Sequence, residues 1–536
     1  MNRLLSIHTS LAVFLLVGLC LNGLALARDG SSGQEVQTNP TVTQARNVTT
    51  KIAFRDMTPL PLRKTGLIPD NEWSPTRHVT AEPDSVVQSE VLPPVSTKNI
   101  LQIEGIDGSA GCGGCAPPDT NAGVGDTQVV ETVNVAYSAF DKKTGKLLMG
   151  PTNIQTLFQP LGGLCATLPN MSDPTAVYDK VAKRWVITII AYDNTFTQTA
   201  VCMGVSTTSD ATGKYHLYSF SRGNVIPDYP KLGIWPDAYY LTTDSFPNGS
   251  FSGADTCALD RTKMLAGKKA TSICFQRGQG DFALLPADLD GNTAPPAGAP
   301  NYEMDLNQNN NTSLNLYKFH VDFAHPKNST FTGPALVKVA AYNFPPCGGR
   351  NCIPEPAPGE ALDSIGNRLM FRLAYRNFGD HEALVATHSV QAHGSGHAIS
   401  AVRWYEVRSP GGSPAVFQSG TIGGGASPVS LWMASIAMDK NGDIALGYSK
   451  SSKTLKPSLE YTGRVPTDPP NKMESPSLIL KGTGVQEGDG NRWGDYSSMA
   501  IDPADDCTFW YTQEYHKVNG VFWNTRMASF RFTSCH

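Results

Sequence analysis

The sequence predicts an all-β protein, a β-propeller, and seven blades account for its length best. Three observations carry this. The first is a recurring unit, in which a leading Asp or small residue opens an alternating small/apolar run, a turn follows, and a strand-prone run comes after. Asp495 to Asp502 runs into Cys507 to Thr512, and Trp432 to Asp439 runs into Asp443 to Tyr448. Asp173 to Asp179 runs into Arg184 to Ile190, Asp228 to Asp237 into Ala238 to Thr243, and Asp119 to Asp126 into Thr127 to Val130. The second is the period. Repetition of strand units every ~40–60 residues is the mark of propeller blades. Residues 119–534 divide into seven such units of about 59 residues, while six or eight units also fit. The third is composition. Gly (50) and Pro (38) are abundant, as many short strands and turns require, and no stretch shows a long amphipathic helix pattern.

Charge and targeting narrow the class. Charged residues make up 17% of the chain and the net charge is −4, which gives no basic footprint for nucleic acid. The start of the chain carries Arg3, an apolar run from Leu11 to Leu19 and then Ala25-Leu26-Ala27. This pattern predicts a secretory signal peptide over 1–27, hence an extracellular or periplasmic protein. A membrane anchor is the alternative, but the run is short, and no later stretch reaches the ~18 apolar residues of a span. Loss of Cys20 with the signal leaves ten cysteines, an even number suited to an oxidising compartment. Local pairing suggests Cys112–Cys115, Cys165–Cys202, Cys257–Cys274, Cys347–Cys352 and Cys507–Cys535; the first two have rivals. Cys112-Gly-Gly-Cys115 also has the spacing of a redox or metal pair, but no second pair or nearby His accompanies it.

Residues 28–98 are polar, Pro-rich and weakly periodic, and read as a poorly packed leader or linker. Thr80 to Leu92 or Asn99 to Ile103 could supply a strand that closes the ring. The propeller domain then spans 99–536. Blade one opens at Asp119, blade two at Asp173 and blade three at Asp228, with an excursion over Asp244 to Ala254. Blade four is faint, with strands expected at Phe282 to Leu285, Leu314 to Val321 and Ala335 to Tyr342 around a Pro/Gly/Asn-rich loop. Blade five opens near Asp363, blade six at Trp432 and blade seven at Asp495.

The first strand of a propeller blade lines the central channel. The leading residues Asp119, Asp173, Asp228, Asp363 and Asp495 are therefore expected to converge at one channel mouth. Carboxylates packed together either hold a proton or recruit a cation. Asp173, Asp228 and Asp495 are the candidate catalytic acids and bases. Asp119 and Asp363 are the candidate ligands of calcium. The bland alternative is that all five cap strand ends. Asp126, Asp179, Asp237, Asp439 and Asp502, at the following turn, read as turn formers.

Arg492 and Trp493 beside Asp495 make a candidate sugar subsite, or a salt bridge with a packed indole. Arg368, Arg372 and Arg376 share one strand face. With His381 these three arginines could bind an acidic group, or they could bridge blades to acidic partners. Asp288-Leu289-Asp290-Gly291-Asn292 has part of a calcium-loop pattern but lacks the downstream Glu.

Pro117-Pro118-Asp119-Thr120-Asn121, Asp228-Tyr229-Pro230-Lys231, Arg372 to His381 and Arg492 to Cys507 resemble a family of secreted bacterial proteins with a sialidase-like (BNR or Asp-box) propeller. The resemblance covers about residues 100–534 and implies the fold and secretion, not an activity. More distantly the chain is similar to sialidases, which implies an acid, a nucleophilic Tyr and an Arg cluster at the mouth. The strict Ser-x-Asp-x-Gly-x-x-Trp box is absent, and Ser435 to Gly442 is a loose relative. These readings predict a secreted, monomeric propeller acting on polysaccharide or glycoconjugate, as a glycoside hydrolase or polysaccharide lyase. The alternative is a non-catalytic binding or adhesion module that uses loops 244–256 and 286–312.

Overall fold

The computed structural model describes residues 27–28, 35–62, 84–394, 397–425, 427–488 and 490–536; the expected signal peptide lies almost wholly outside them. Within them the chain is a β-propeller. Seven antiparallel units follow one another, each with its first strand on the axis. The inner strands are Asn121–Val124, Asn170–Asp179, Val225–Ile234, Leu285–Leu289, Leu373–Asn377, Ser430–Met438 and Ser498–Ile501. They touch in order around a closed ring.

Hydrogen bonds tie several neighbours together along the axis. Ala176 N–H donates to Asn121 Oδ1 (2.8 Å), and Ile234 N–H to Asp288 Oδ1 (3.0 Å). Ala287 lies in parallel register with Leu373. Met499 N–H donates to Ser435 Oγ (2.8 Å), and Ala122 N–H closes the circle on Ser498 Oγ (2.9 Å).

Blade interiors follow the physics the sequence suggested. Strands covered on both faces read as unbroken apolar runs. Arg184–Tyr192 is buried at every position after the first, and Thr508–Tyr515 at every position. Trp185 and Trp404 are fully enclosed and Trp510 nearly so, so they serve as core. All five expected disulfides are present.

Three expectations need correction. The described residues of the leader are not poorly packed. Glu35–Gln37, Thr41–Gln44 and Arg46–Thr49 add outer strands to blades four, three and two in turn. Phe54 is fully buried under blades one and two, and Leu60 N–H donates to Thr156 Oγ1 (2.9 Å) on blade one. After residue 84 the same strap edges blades five and six through Val87 and Pro94. It ends as Thr97–Asp107, the outer strand of blade seven, so the Asn99 to Ile103 expectation holds. The sequence hid most of this because Thr41–Gln44 is exposed throughout and carries no apolar alternation.

Blade four is the second correction. It uses Leu285–Leu289, Asn301–Leu306, Ser313–His320 and Thr330–Lys338, so residues 286–289 and 301–306 of the expected loop 286–312 are strand, while the rest of it, Asn307 to Asn311 included, is loop as expected. Likewise Tyr239–Pro247 and Gly253–Leu259 leave only a short turn of the expected excursion after Asp244. The third is the opening of blade five, which comes at Leu373 and not near Asp363.

Candidate functional site

The inner strands share a backbone device at their start. Asp119, Asp173, Tyr229, Ala283, Met433 and Asp495 all adopt positive φ, between 49° and 59°. Pairing with the second strand slips at three of these places, between Ser172 and Thr175, Asp228 and Lys231, and Trp432 and Ser435. A left-handed non-glycine residue is costly, and such residues gather at functional sites. In blade five Phe371 stands two residues before the strand, as Asp119 does in blade one.

This device corrects the expected ring by one residue in two blades. Tyr229, not Asp228, holds the position in blade three, and Met433, not Trp432, in blade six. Asp228 is half-buried and lies in register opposite Asp244. Asp363 belongs to a small hairpin with Asn351–Ile353. There it accepts from Arg350 Nε at 2.7 Å and lies 3.8 Å from Arg492 Nε.

Asp119, Asp173 and Asp495 do converge. They are 1%, 7% and 8% exposed, and they perturb one another's charge. Asn134 holds the blade-two start by accepting from Asp173 N–H and Ser172 Oγ, both at 3.1 Å. Ser172 Oγ also donates to Asp173 Oδ1 (2.6 Å). Arg492 pairs with Asp495. Asp119 Oδ1 and Asp495 Oδ1 have no hydrogen-bond partner among the described residues. Burial first, then repulsion from Asp173 and Asp495, pushes the Asp119 carboxyl well above the usual range. Burial raises Asp173 too, with Lys231 pulling against it. Like charges packed in a dry site disfavour full ionisation of the set, and both Asp119 and Asp173 are pushed upward.

The structure adds residues to which the sequence gave no role at the channel mouth. Lys231, 1% exposed, places Nζ 3.4 Å from the Tyr229 ring centroid and 3.7 Å from that of Tyr496. The two rings meet edge-on at 5.7 Å. Burial pulls the Lys231 ammonium down to about 8 against the three aspartates. Arg368 stacks on Tyr229 (4.4 Å) and Phe282 (4.8 Å). The only signal for these was Tyr229-Pro230-Lys231 beside a predicted inner strand.

The other candidates lie elsewhere. Trp493 is fully buried between Trp432 and His516 and donates Nε1–H to Ser449 Oγ (3.3 Å); it supports the turn at Asp495 from beneath and offers no face to a sugar. Arg376 makes a two-pronged pair with Asp506 (2.8 and 2.6 Å). Arg372 binds Asp288 (2.8 Å) and Asp290 (2.6 Å), so the blade-bridging alternative describes both. His381 sits on Asp380 (2.8 Å) and stacks on Phe378. Asp179, Asp439 and Asp502 each accept backbone N–H bonds two to four residues on, as turn formers do.

The fit to calcium is poor. The oxygens of the acidic ring do not gather within 4.8 Å as a set of three. The one described set that does, Asp439 with Cys507 and Cys535, has both sulfurs in a disulfide. Positive charge at the mouth comes from Lys231 and Arg492 instead.

No family model and no curated protein matches the chain, so the expected BNR-type family is not shown. Solved structures similar to it include the α-L-arabinofuranosidase Arb93A from Fusarium graminearum, at 10% identity and TM-score 0.37 over 82% of this chain and 99% of that one. Another is an α-L-arabinanase from Penicillium chrysogenum, at 9% identity and TM-score 0.36 over 69% and 98%. A GH43 endo-arabinanase from Bacillus licheniformis reaches 9% identity and TM-score 0.27 over 64% and 92%. Likeness at this level says nothing about substrate or chemistry here, and the fold stands on the closed ring of strands.

Proposed function

We propose that the protein is a secreted, carbohydrate-acting propeller in which Asp119, Asp173 and Asp495 perform acid–base chemistry on a sugar linkage, of hydrolase or lyase type. One observation carries the reading: the buried Asp119, whose carboxyl burial pushes upward, stands beside two further buried carboxylates and the Lys231 ammonium. Cleaving a glycosidic bond needs an acid for the leaving oxygen and a second carboxylate to act as base or nucleophile. In this assignment Asp119 donates the proton. Asp173, steadied by Asn134, and Asp495, paired with Arg492, are the groups available to accept one or to stabilise positive charge on the sugar. Trp493 and His381 take no part.

The test is turnover of a glycan panel by the purified protein, followed by Asp119→Asn, Asp173→Asn and Asp495→Asn. Loss of general acid–base help lowers kcat by about 10²–10⁴. Undiminished turnover in all three variants removes the cluster from the reaction.

The second reading is a non-catalytic binding module. It is favoured by the slight exposure of the three carboxylates, which leaves a substrate little access. Glycan capture without bond cleavage, unchanged in the three variants, selects it.

A further inference from the structure

We propose that Lys231 is the built-in cation of this site: a fixed ammonium, clamped between two tyrosine faces, that stands among Asp119, Asp173 and Asp495 where an acidic cluster would otherwise need a bound metal ion. The geometry is that of a shared charge. Nζ donates to Pro230 O (3.2 Å) and lies over the Tyr229 and Tyr496 rings at 3.4 and 3.7 Å. It forms no ion pair within 4.0 Å with any one aspartate, yet all three act on it, and Arg368 opposes them. The stem rises from blade three, Tyr496 comes from blade seven, and the carboxylates come from blades one, two and seven. One ammonium therefore serves three blades at once.

Two principles make this arrangement stable and useful. A desolvated ammonium is attracted to the electron-rich face of an aromatic ring, so the two rings hold the charge without a carboxylate partner. A compact charge in a dry site acts on every neighbour through the field. Tying Lys231 to a single aspartate would neutralise that one and leave the other two to repel. The gathering of three carboxylates without metal-ligand spacing follows from the same design. The inference takes from the acid–base reading only its catalytic consequence; the ammonium cage is tested separately.

The experiment uses the full-length mature protein. Lys231→Ala leaves a cage with the size and chemistry of a small primary ammonium ion. Thermal unfolding of that variant is compared in ethylammonium chloride, sodium chloride and calcium chloride at matched ionic strength. The expected result is a lower melting temperature, of which at least half is restored by ethylammonium and none by sodium or calcium. Lys231→Met, which keeps the volume and removes the charge, is the second variant. It is expected to melt lower than the wild type, with the deficit widening as pH rises above the carboxylate range. Where a glycan is turned over, kcat of both variants falls at least 100-fold, and ethylammonium raises that of the alanine variant. A methionine variant with wild-type melting at every pH, or an alanine variant that responds alike to ethylammonium and sodium, overturns the proposal. If the wild type turns over no glycan, the catalytic reading fails and the melting result still decides the cage.

Discussion

The central channel carries two groups of buried charge, and they are built on opposite rules. Further along the inner strands, Arg372 faces Asp288 and Asp290, Arg376 faces Asp506, and Lys180 Nζ donates to Leu289 O (2.6 Å) while lying 4.0 Å from Asp290. Each of those carboxylates has a guanidinium, and Lys180, Asp288, Asp290 and Arg372 line one small cavity of about 50 Å³. At the mouth only Asp495 has a guanidinium, from Arg492; Asp119 and Asp173 have no ion pair among the described residues, and the Lys231 ammonium is shared by all three carboxylates. Burial pulls both lysines down to about 8, so depth alone does not separate the two groups. Pairing does. Matched charges fasten blade to blade, while unmatched ones keep a site poised for chemistry at the expense of stability.

The comparison breaks most severely if Arg372→Met is tolerated. That change strands Asp288 and Asp290 and is expected to cost about 3–5 kcal/mol in denaturant unfolding. Asp119→Asn should act the other way. Its carboxyl is held above its unfolded value, so the native state keeps a proton that the unfolded chain releases above about pH 4. Stability is therefore lost as pH rises from there, and the asparagine variant should melt no lower than wild type at neutral pH, with a flatter profile.

Glu303, between blades three and four, sharpens the point away from the channel. Burial pushes it up to about 8, so wild-type stability should decline between about pH 4.5 and 8. Glu303→Gln should reduce that slope in melts recorded across the range. Smaller again, His381→Ala should change stability by less than ~0.5 kcal/mol and leave any glycan turnover intact. Adding calcium or a chelator should not move the melting temperature.

The sequence disclosed what is local. Disulfide partners a few to a few tens of residues apart could be paired by proximity, and the unit Asp-turn-strand repeats legibly because each blade solves the same burial problem. It misled where the backbone slips. A bulge at Asp228 and Lys231 moves the mouth position onto Tyr229, and no residue type announces it. It was silent where distant segments meet: Lys231 and Tyr496 are brought together only by ring closure. The strap escaped notice because edge strands such as Thr41–Gln44 gain their order from backbone pairing with a neighbour, without an apolar face of their own.

That strap sets an order of events. Thr97–Asp107 pairs with Asn524–Phe532, so a strand that precedes the first blade waits for the last strand of the seventh. A nascent chain leaving the ribosome cannot complete its circle before synthesis ends. Contacts of such separation are slow to form, so the ring closes after blades built from neighbouring strands have had time to form.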